Sequence, residues 1–128
     1  MTIGELAQKT QISEYTLRYY EKKGLIRVSR DGSGRRCYEE SDISWVAFIK
    51  RLKDTGMLLK DIRLYADLRY EGAATMPQRL ALLQNHRTYV LEQQKKWEEY
   101  LLNLDDKIQY YQENIKEQSE SMQEIGSC

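Results

Sequence analysis

Leu80, Leu83, Arg87, Val90, Gln94, Trp97, Leu101, Leu104, Ile108, Tyr111 and Ile115 recur in alternating steps of three and four residues. That spacing is a heptad seam of about five repeats. Pro77 falls in the first turn, where a proline costs no backbone hydrogen bond. A helix from Pro77 to Gln118 at about 1.5 Å rise per residue is roughly 60 Å long. A helix of that length cannot bury its seam against the small domain that precedes it. It needs a partner helix, and the simplest partner is a second copy of the same chain. Leu80, Leu83, Val90, Trp97, Leu101, Leu104 and Ile108 are therefore expected at a homodimer interface. Arg87 and Gln94 lower the seam's stability but fix register and orientation. The plainer alternative is a solitary solvated helix, against which the apolar content of the stripe weighs. The organisation expected is a domain over residues 1–72, a coiled-coil helix over 75–118 and a short disordered tail over 119–128.

The first 72 residues read as short helices separated by turn chemistry. Thr2 and Glu5 form a T-x-x-E capping box ahead of Ile3, Leu6 and Ala7, starting a helix that ends near Thr10. Ser13 is the next N-cap, and the helix it starts runs to about Lys23 with Gly24 as its stop. Two short helices across so tight a turn make a helix-turn-helix. Leu25 to Val28, a turn at Asp31-Gly32-Ser33-Gly34, and Arg35-Arg36-Cys37-Tyr38 form a small hairpin, a wing. Ser41 is expected to cap a third helix carrying Trp45, Phe48, Ile49 and Leu52, closed by Gly56. Leu58, Leu59, Ile62, Tyr65 and Ala66 mark a fourth that closes near Gly72. The fold class is mainly α: a winged helix-turn-helix with two accessory helices, then the long helix.

The second helix has two faces. Leu17 and Tyr20 share one, while Tyr15, Arg18, Tyr19 and Lys22 lie at i, i+3, i+4 and i+7 on the other. An outward stripe of aromatic and cationic groups is a surface built to be read. Charge supports this. The whole chain is neutral, yet residues 1–55 hold 11 Lys/Arg against 8 Asp/Glu, and Tyr15 to Arg36 holds seven basic residues against Glu21 and Asp31. Concentrated positive charge is the footprint of contact with a polyanion. In a helix-turn-helix, the second helix enters the major groove.

Together, L-R-Y-Y-E-K-K-G-L-I, the G-R-R-C-Y wing, the Asp42-Ile43 helix start and the terminal seam resemble the MerR family of bacterial transcription regulators. The likeness covers essentially the whole chain, and the L-R-Y-Y-E-x-x-G-L-I signature is far more specific than a generic helix-turn-helix. The resemblance implies a winged-helix DNA-binding domain and a dimer held by an antiparallel coiled coil. It also implies an inverted-repeat operator in an overlong promoter spacer, which the protein distorts and untwists so that RNA polymerase engages both promoter elements. Carried over residue by residue, it puts Thr16, Arg18 and Tyr19 on the DNA side, with Tyr20 reaching the phosphate backbone and Arg36 and Tyr38 at the wing. Tyr15, Lys22, Lys23 and Arg35 complete the expected DNA-binding set. Two positions depart from the family pattern: Val28 stands where a proline often follows the L-I pair, and Tyr15 where arginine is frequent. With no cysteine between Tyr38 and Ser127 and no room for a ligand domain, the chain resembles the small, short-tailed branch of aldehyde- and thiol-responsive members. Some of these use a cysteine in the third helix, a neighbourhood occupied here by Arg51.

The remaining residues bound other functions. An enzyme needs a nucleophile–base pair or a metal set, and His86 with the distant Cys37 and Cys128 supplies neither. No metal and no cofactor are expected. A coiled-coil adaptor would leave the basic stripe unexplained. The sequence has no run of apolar residues long enough to span a membrane and no signal-peptide core, so a cytoplasmic location is expected. Arg35 and Arg36 favour the Cys37 thiolate, but charge nearby seldom makes a sensor, and a bystander cysteine is the stronger reading. Cys128 sits on the tail. Tyr65, Tyr89 and Trp97 are candidates for a pocket that would hold a small-molecule effector, set against the plainer reading of aromatics as core.

Overall fold

The computed structural model describes the backbone of residues 1–126 and the side chains of residues 1–121. Cys128 and the end of the expected tail lie outside them. Among the described residues, five α-helices and one two-stranded sheet follow in chain order: α1 (Ile3–Thr10), α2 (Glu14–Lys22), β1 (Ser29–Arg30), β2 (Arg36–Cys37), α3 (Ser41–Asp54), α4 (Leu59–Glu71) and α5 (Met76–Gly126). A 3₁₀ turn, Ala73–Thr75, precedes α5. The chain divides into two units, Met1–Arg87 and Thr88–Cys128.

Local chemistry sets the helix ends. The Thr2 hydroxyl accepts the Glu5 amide at 3.1 Å, and the Ser13 hydroxyl accepts the Thr16 amide at 3.1 Å. Each satisfies an amide that the first turn leaves unpaired. Helix α2 closes with the Leu25 amide donating to the Tyr20 carbonyl at 2.9 Å and the Gly24 amide to Glu21 at 3.0 Å. That paired closure needs a left-handed residue, and Gly24 supplies φ +76°. Gly56 does the same for α3, where the Met57 amide reaches the Leu52 carbonyl at 2.9 Å. In both closures the following residue, Leu25 or Met57, turns into the core.

Two expectations of local structure are corrected. Ser41 lies inside α3 rather than capping it; the cap position is Glu40, and the Asp42 carboxylate accepts the Glu39 amide at 2.8 Å instead. The strand predicted over Leu25 to Val28 begins only at Ser29, because Leu25 and Ile26 are drawn into the core.

The core of the first unit joins all four short helices. Leu6, Leu17, Leu25, Val46, Ile49 and Ile62 are fully buried, and each such side chain stabilises the fold by about 1.5–3 kcal/mol. The Trp45 indole N–H donates to the Leu25 carbonyl at 3.1 Å, so the loop after α2 is fastened to α3. Between α4 and α5 the chain turns at Gly72, φ +110°. There the buried Thr75 hydroxyl donates to the Leu68 and Gly72 carbonyls, and Arg79 Nη2 donates to Gly72 at 3.1 Å. His86 Nε2 lies 2.8 Å from the Thr55 hydroxyl, an ordinary structural contact.

Helix α5 extends to Gly126, past the Gln118 limit read from the seam. The described helix thus runs into the stretch expected as a tail, which has no proline and no glycine before Gly126. Along this chain Leu80, Trp97, Leu101, Leu104, Ile108 and Ile115 are each more than half exposed. Leu83 and Val90 on the expected seam are half-buried, and Leu83 packs against the core of its own unit.

Candidate nucleic-acid interface

Helix α2 carries the outward stripe as its spacing requires. Tyr15 is 81% exposed, Arg18 and Lys22 are exposed, and Thr16 and Tyr19 are half-buried. Arg18 is steadied by Glu14 one turn earlier, with 3.4 Å between Nη2 and Oε2. An exposed pair of this kind is weak, so the guanidinium is free to exchange partners. The Tyr19 ring lies between two ammonium groups, Lys53 at 4.9 Å and Lys23 at 5.7 Å from its centroid.

The wing is held by its own turn and by α2. Strands β1 and β2 are antiparallel, with Ser29 opposite Cys37 and Arg30 opposite Arg36. At the tip, the Asp31 carboxylate accepts the Ser33 amide and hydroxyl and the Arg35 amide at 2.7–3.0 Å. Those donors, the Ser33 hydroxyl foremost, hold the Asp31 carboxyl below its ordinary range. Gly34, at φ +82°, completes the turn. At the base, Glu21 of α2 receives Arg36 Nε at 2.6 Å and Arg30 Nη2 at 3.4 Å. The hydrogen bond to Glu21 raises the Arg36 pKa above its ordinary value. One carboxylate thereby ties the returning and outgoing strands of the wing to the exposed helix.

Two residues expected at this surface are core residues. Tyr20 is 2% exposed and Tyr38 3% exposed. Tyr20 falls three residues after Leu17 and shares its inward face. Tyr38 is fixed by its backbone: its amide donates to the Met1 carbonyl at 2.8 Å and its carbonyl accepts from the Met1 amine at 3.0 Å. Burial pushes both phenols above their ordinary pKa, so both stay protonated. Among the described residues the Tyr38 hydroxyl has no hydrogen-bond partner.

Sequence reasoning left three members out of the site. Arg30 was recoverable from the hairpin register, which sets it across from Arg36. Glu21 was visible only as an acid within a basic run. Lys53 had no local signal, because α3 brings it to Tyr19 from across the fold. Cys37 is an exposed free thiol on β2. Among the described residues no group of His, Cys, Asp and Glu could hold a metal ion, and no helix is long and apolar enough to cross a membrane.

The expected effector residues do not all fall in one unit. Tyr65 belongs to the first, stacked on Trp45 at 5.7 Å. Tyr89 and Trp97 belong to the second, where Trp97 meets Tyr100 edge-on at 5.8 Å.

Comparison with known proteins places the chain in a family. The description "MerR HTH family regulatory protein" fits residues 1–68, and "MerR, DNA binding" fits residues 43–107. An uncharacterised HTH-type transcriptional regulator of Haemophilus influenzae is 39% identical over 112 residues, 87% of this chain and 83% of that protein. The crystal structure of HiNmlR, described as a MerR family regulator lacking the sensor domain and bound to promoter DNA, is 39% identical with a TM-score of 0.77. It covers 88% of this chain and 90% of that one. A MerR family regulator from Listeria monocytogenes is 29% identical with a TM-score of 0.90, covering 98% and 96% of the two chains. The helix-turn-helix, the two-stranded wing and the long terminal helix are those of DNA-binding transcription regulators rather than enzymes, and this chain belongs to the MerR family.

Proposed function

We propose that the protein acts in the cytoplasm as a homodimer on an inverted-repeat promoter operator, distorting the DNA so that RNA polymerase engages it. The observation that carries this reading is the Glu21 bridge, which gathers the α2 stripe and the arginines of both wing strands into one basic surface. A recognition helix and a wing held rigidly together span a groove and its flanking phosphates. The exposed seam of α5 supplies the second head: a two-fold dimer of such heads demands a two-fold operator. The DNA-bound HiNmlR structure adds support, being promoter-bound and similar over most of this chain.

The roles divide by position. Tyr15, Thr16, Arg18, Tyr19 and Lys22 face the bases and adjacent phosphates, and Lys23, Arg35 and Arg36 bind phosphate. Arg18→Ala lowers affinity for the operator by about 1–3 kcal/mol while leaving random duplex nearly unaffected. Lys23→Ala weakens both DNAs alike and flattens the salt dependence, because a phosphate contact releases counterions whatever the sequence. Fluorescence anisotropy on operator and random duplexes across a salt series measures both. Equal losses on the two DNAs for Arg18→Ala would remove its base-reading role, and salt-independent binding would remove the regulator reading itself.

A further inference from the structure

A cleft of about 390 Å³ opens between α3 and α4, lined by Ser44, Trp45, Phe48, Arg51, Tyr65 and Arg69. None of these residues belongs to α2 or to the wing. Ser44, Phe48 and Arg51 are i, i+4 and i+7 on α3, and Tyr65 and Arg69 are i and i+4 on α4, so each helix offers aromatic and cationic groups on one face. The floor is a ring cluster. Trp45 and Tyr65 stack at 5.7 Å with 19° between planes, and Phe48 lies 5.7 Å from Tyr65. The Arg69 guanidinium sits 4.4 Å above the Trp45 ring. Among the described residues neither Arg51 nor Arg69 has a carboxylate within ion-pairing distance, although ion pairs elsewhere on the surface are common.

That combination selects a ligand chemistry. An aromatic floor offers dispersion and stacking but almost no hydrogen bonding, which disfavours a bare inorganic anion. Two guanidiniums without counter-ions disfavour a purely apolar guest, since covering them costs solvation that nothing returns. A planar ring bearing a carboxylate satisfies both: the ring lies on the half-buried Phe48 and Tyr65, and the planar guanidinium forks meet the carboxylate. We propose that this cleft is a binding site for a small aromatic carboxylate, which links α3 to α4 and so acts as the effector of the regulator. The effector role rests on the function proposed above; the binding itself does not.

The test titrates the full-length protein with benzoate and with benzamide, its uncharged counterpart, by calorimetry and by the NMR signal of the Trp45 indole N–H. Benzoate binds with a shift of that signal, and benzamide binds at least tenfold more weakly. Arg51→Gln and Arg69→Gln each weaken benzoate about tenfold, and operator affinity without benzoate is unchanged in both. Arg69 also covers a core tryptophan, so Arg51→Gln, on an exposed position, decides the matter if Arg69→Gln is unstable. Equal binding of benzoate and benzamide, or no binding at millimolar concentration, overturns the site. So does a change of sedimentation in Arg51→Gln, which would make the cleft a seat for a second copy of the chain. Benzoate binding by a protein that fails to bind operator would refute the regulator reading and leave the site standing.

Discussion

Glu21 is an acid in the midst of cations, and that is its use. Its carboxylate holds Arg36 at 2.6 Å and Arg30 at 3.4 Å, with all three side chains only partly exposed. Charge-assisted bonds of this kind, partly shielded from water, fix geometry more than they add stability; the pair contributes about 1 kcal/mol. Glu21→Gln keeps the shape and removes the charge. Both arginines are then freer to bind phosphate, while the wing loses its fixed place on α2. Random duplex binding should strengthen slightly and operator binding weaken, so that the ratio of the two affinities falls several-fold. Anisotropy titrations on both duplexes check this, and an unchanged ratio would mean that the wing is positioned by its own turn alone. The residues themselves were only partly legible in the sequence. A helical wheel separates Arg18 from Leu17 well, because a step of about 100° takes Arg18 off the buried stripe. The wheel also turns Tyr20 inward beside Leu17, and it was the family resemblance that put Tyr20 and Tyr38 at the DNA; a phenol reads equally as a polar tip or as core volume, and only its neighbours decide.

Helices were more legible than strands. Thr2, Ser13, Gly24 and Gly56 each act within one turn of their own position, so chemistry read locally places α1, α2 and the end of α3. The start of β1 depended on whether Leu25 and Ile26 went to the sheet or to the core, a choice made by α3 through the Trp45 bond to Leu25. Helix α5 was legible from its period, but Leu83 shows where period alone misleads. A seam position near the domain can be claimed by the chain's own core before any partner arrives. Farther along, Leu101 and Leu104 are 58% and 60% exposed. Leu101→Asp should therefore leave the fold of residues 1–87 intact, because Leu101 belongs to the second unit and is exposed, and should convert the proposed dimer to monomers by placing a charge in an apolar seam. Sedimentation reads the association state and near-ultraviolet circular dichroism reads the Trp45 environment. A dimer that survives the substitution would place the interface elsewhere on α5.

The whole molecule has to explain how a small domain with one short recognition helix selects a promoter. A single head of this size makes few base contacts, and most of its binding energy comes from phosphates that every sequence offers. In the homodimer proposed above, specificity depends on two heads binding together, with their separation fixed by the paired helices. If the pair is stiff, the heads meet two half-sites only when these lie on the correct face of the duplex. Inserting about 5 bp between the half-sites turns the second one to the opposite face of the DNA. Operator affinity should fall to the level of a lone half-site. Inserting about 10 bp restores the face but not the distance, and a stiff dimer should recover little. Gel-shift titrations on the three spacings measure the difference. Recovery of full affinity at the longer spacing would point to heads that swing freely, and such heads could not untwist a promoter. Equal affinity at all three would mean that each head binds alone, leaving the α5 seam with no part in choosing the DNA.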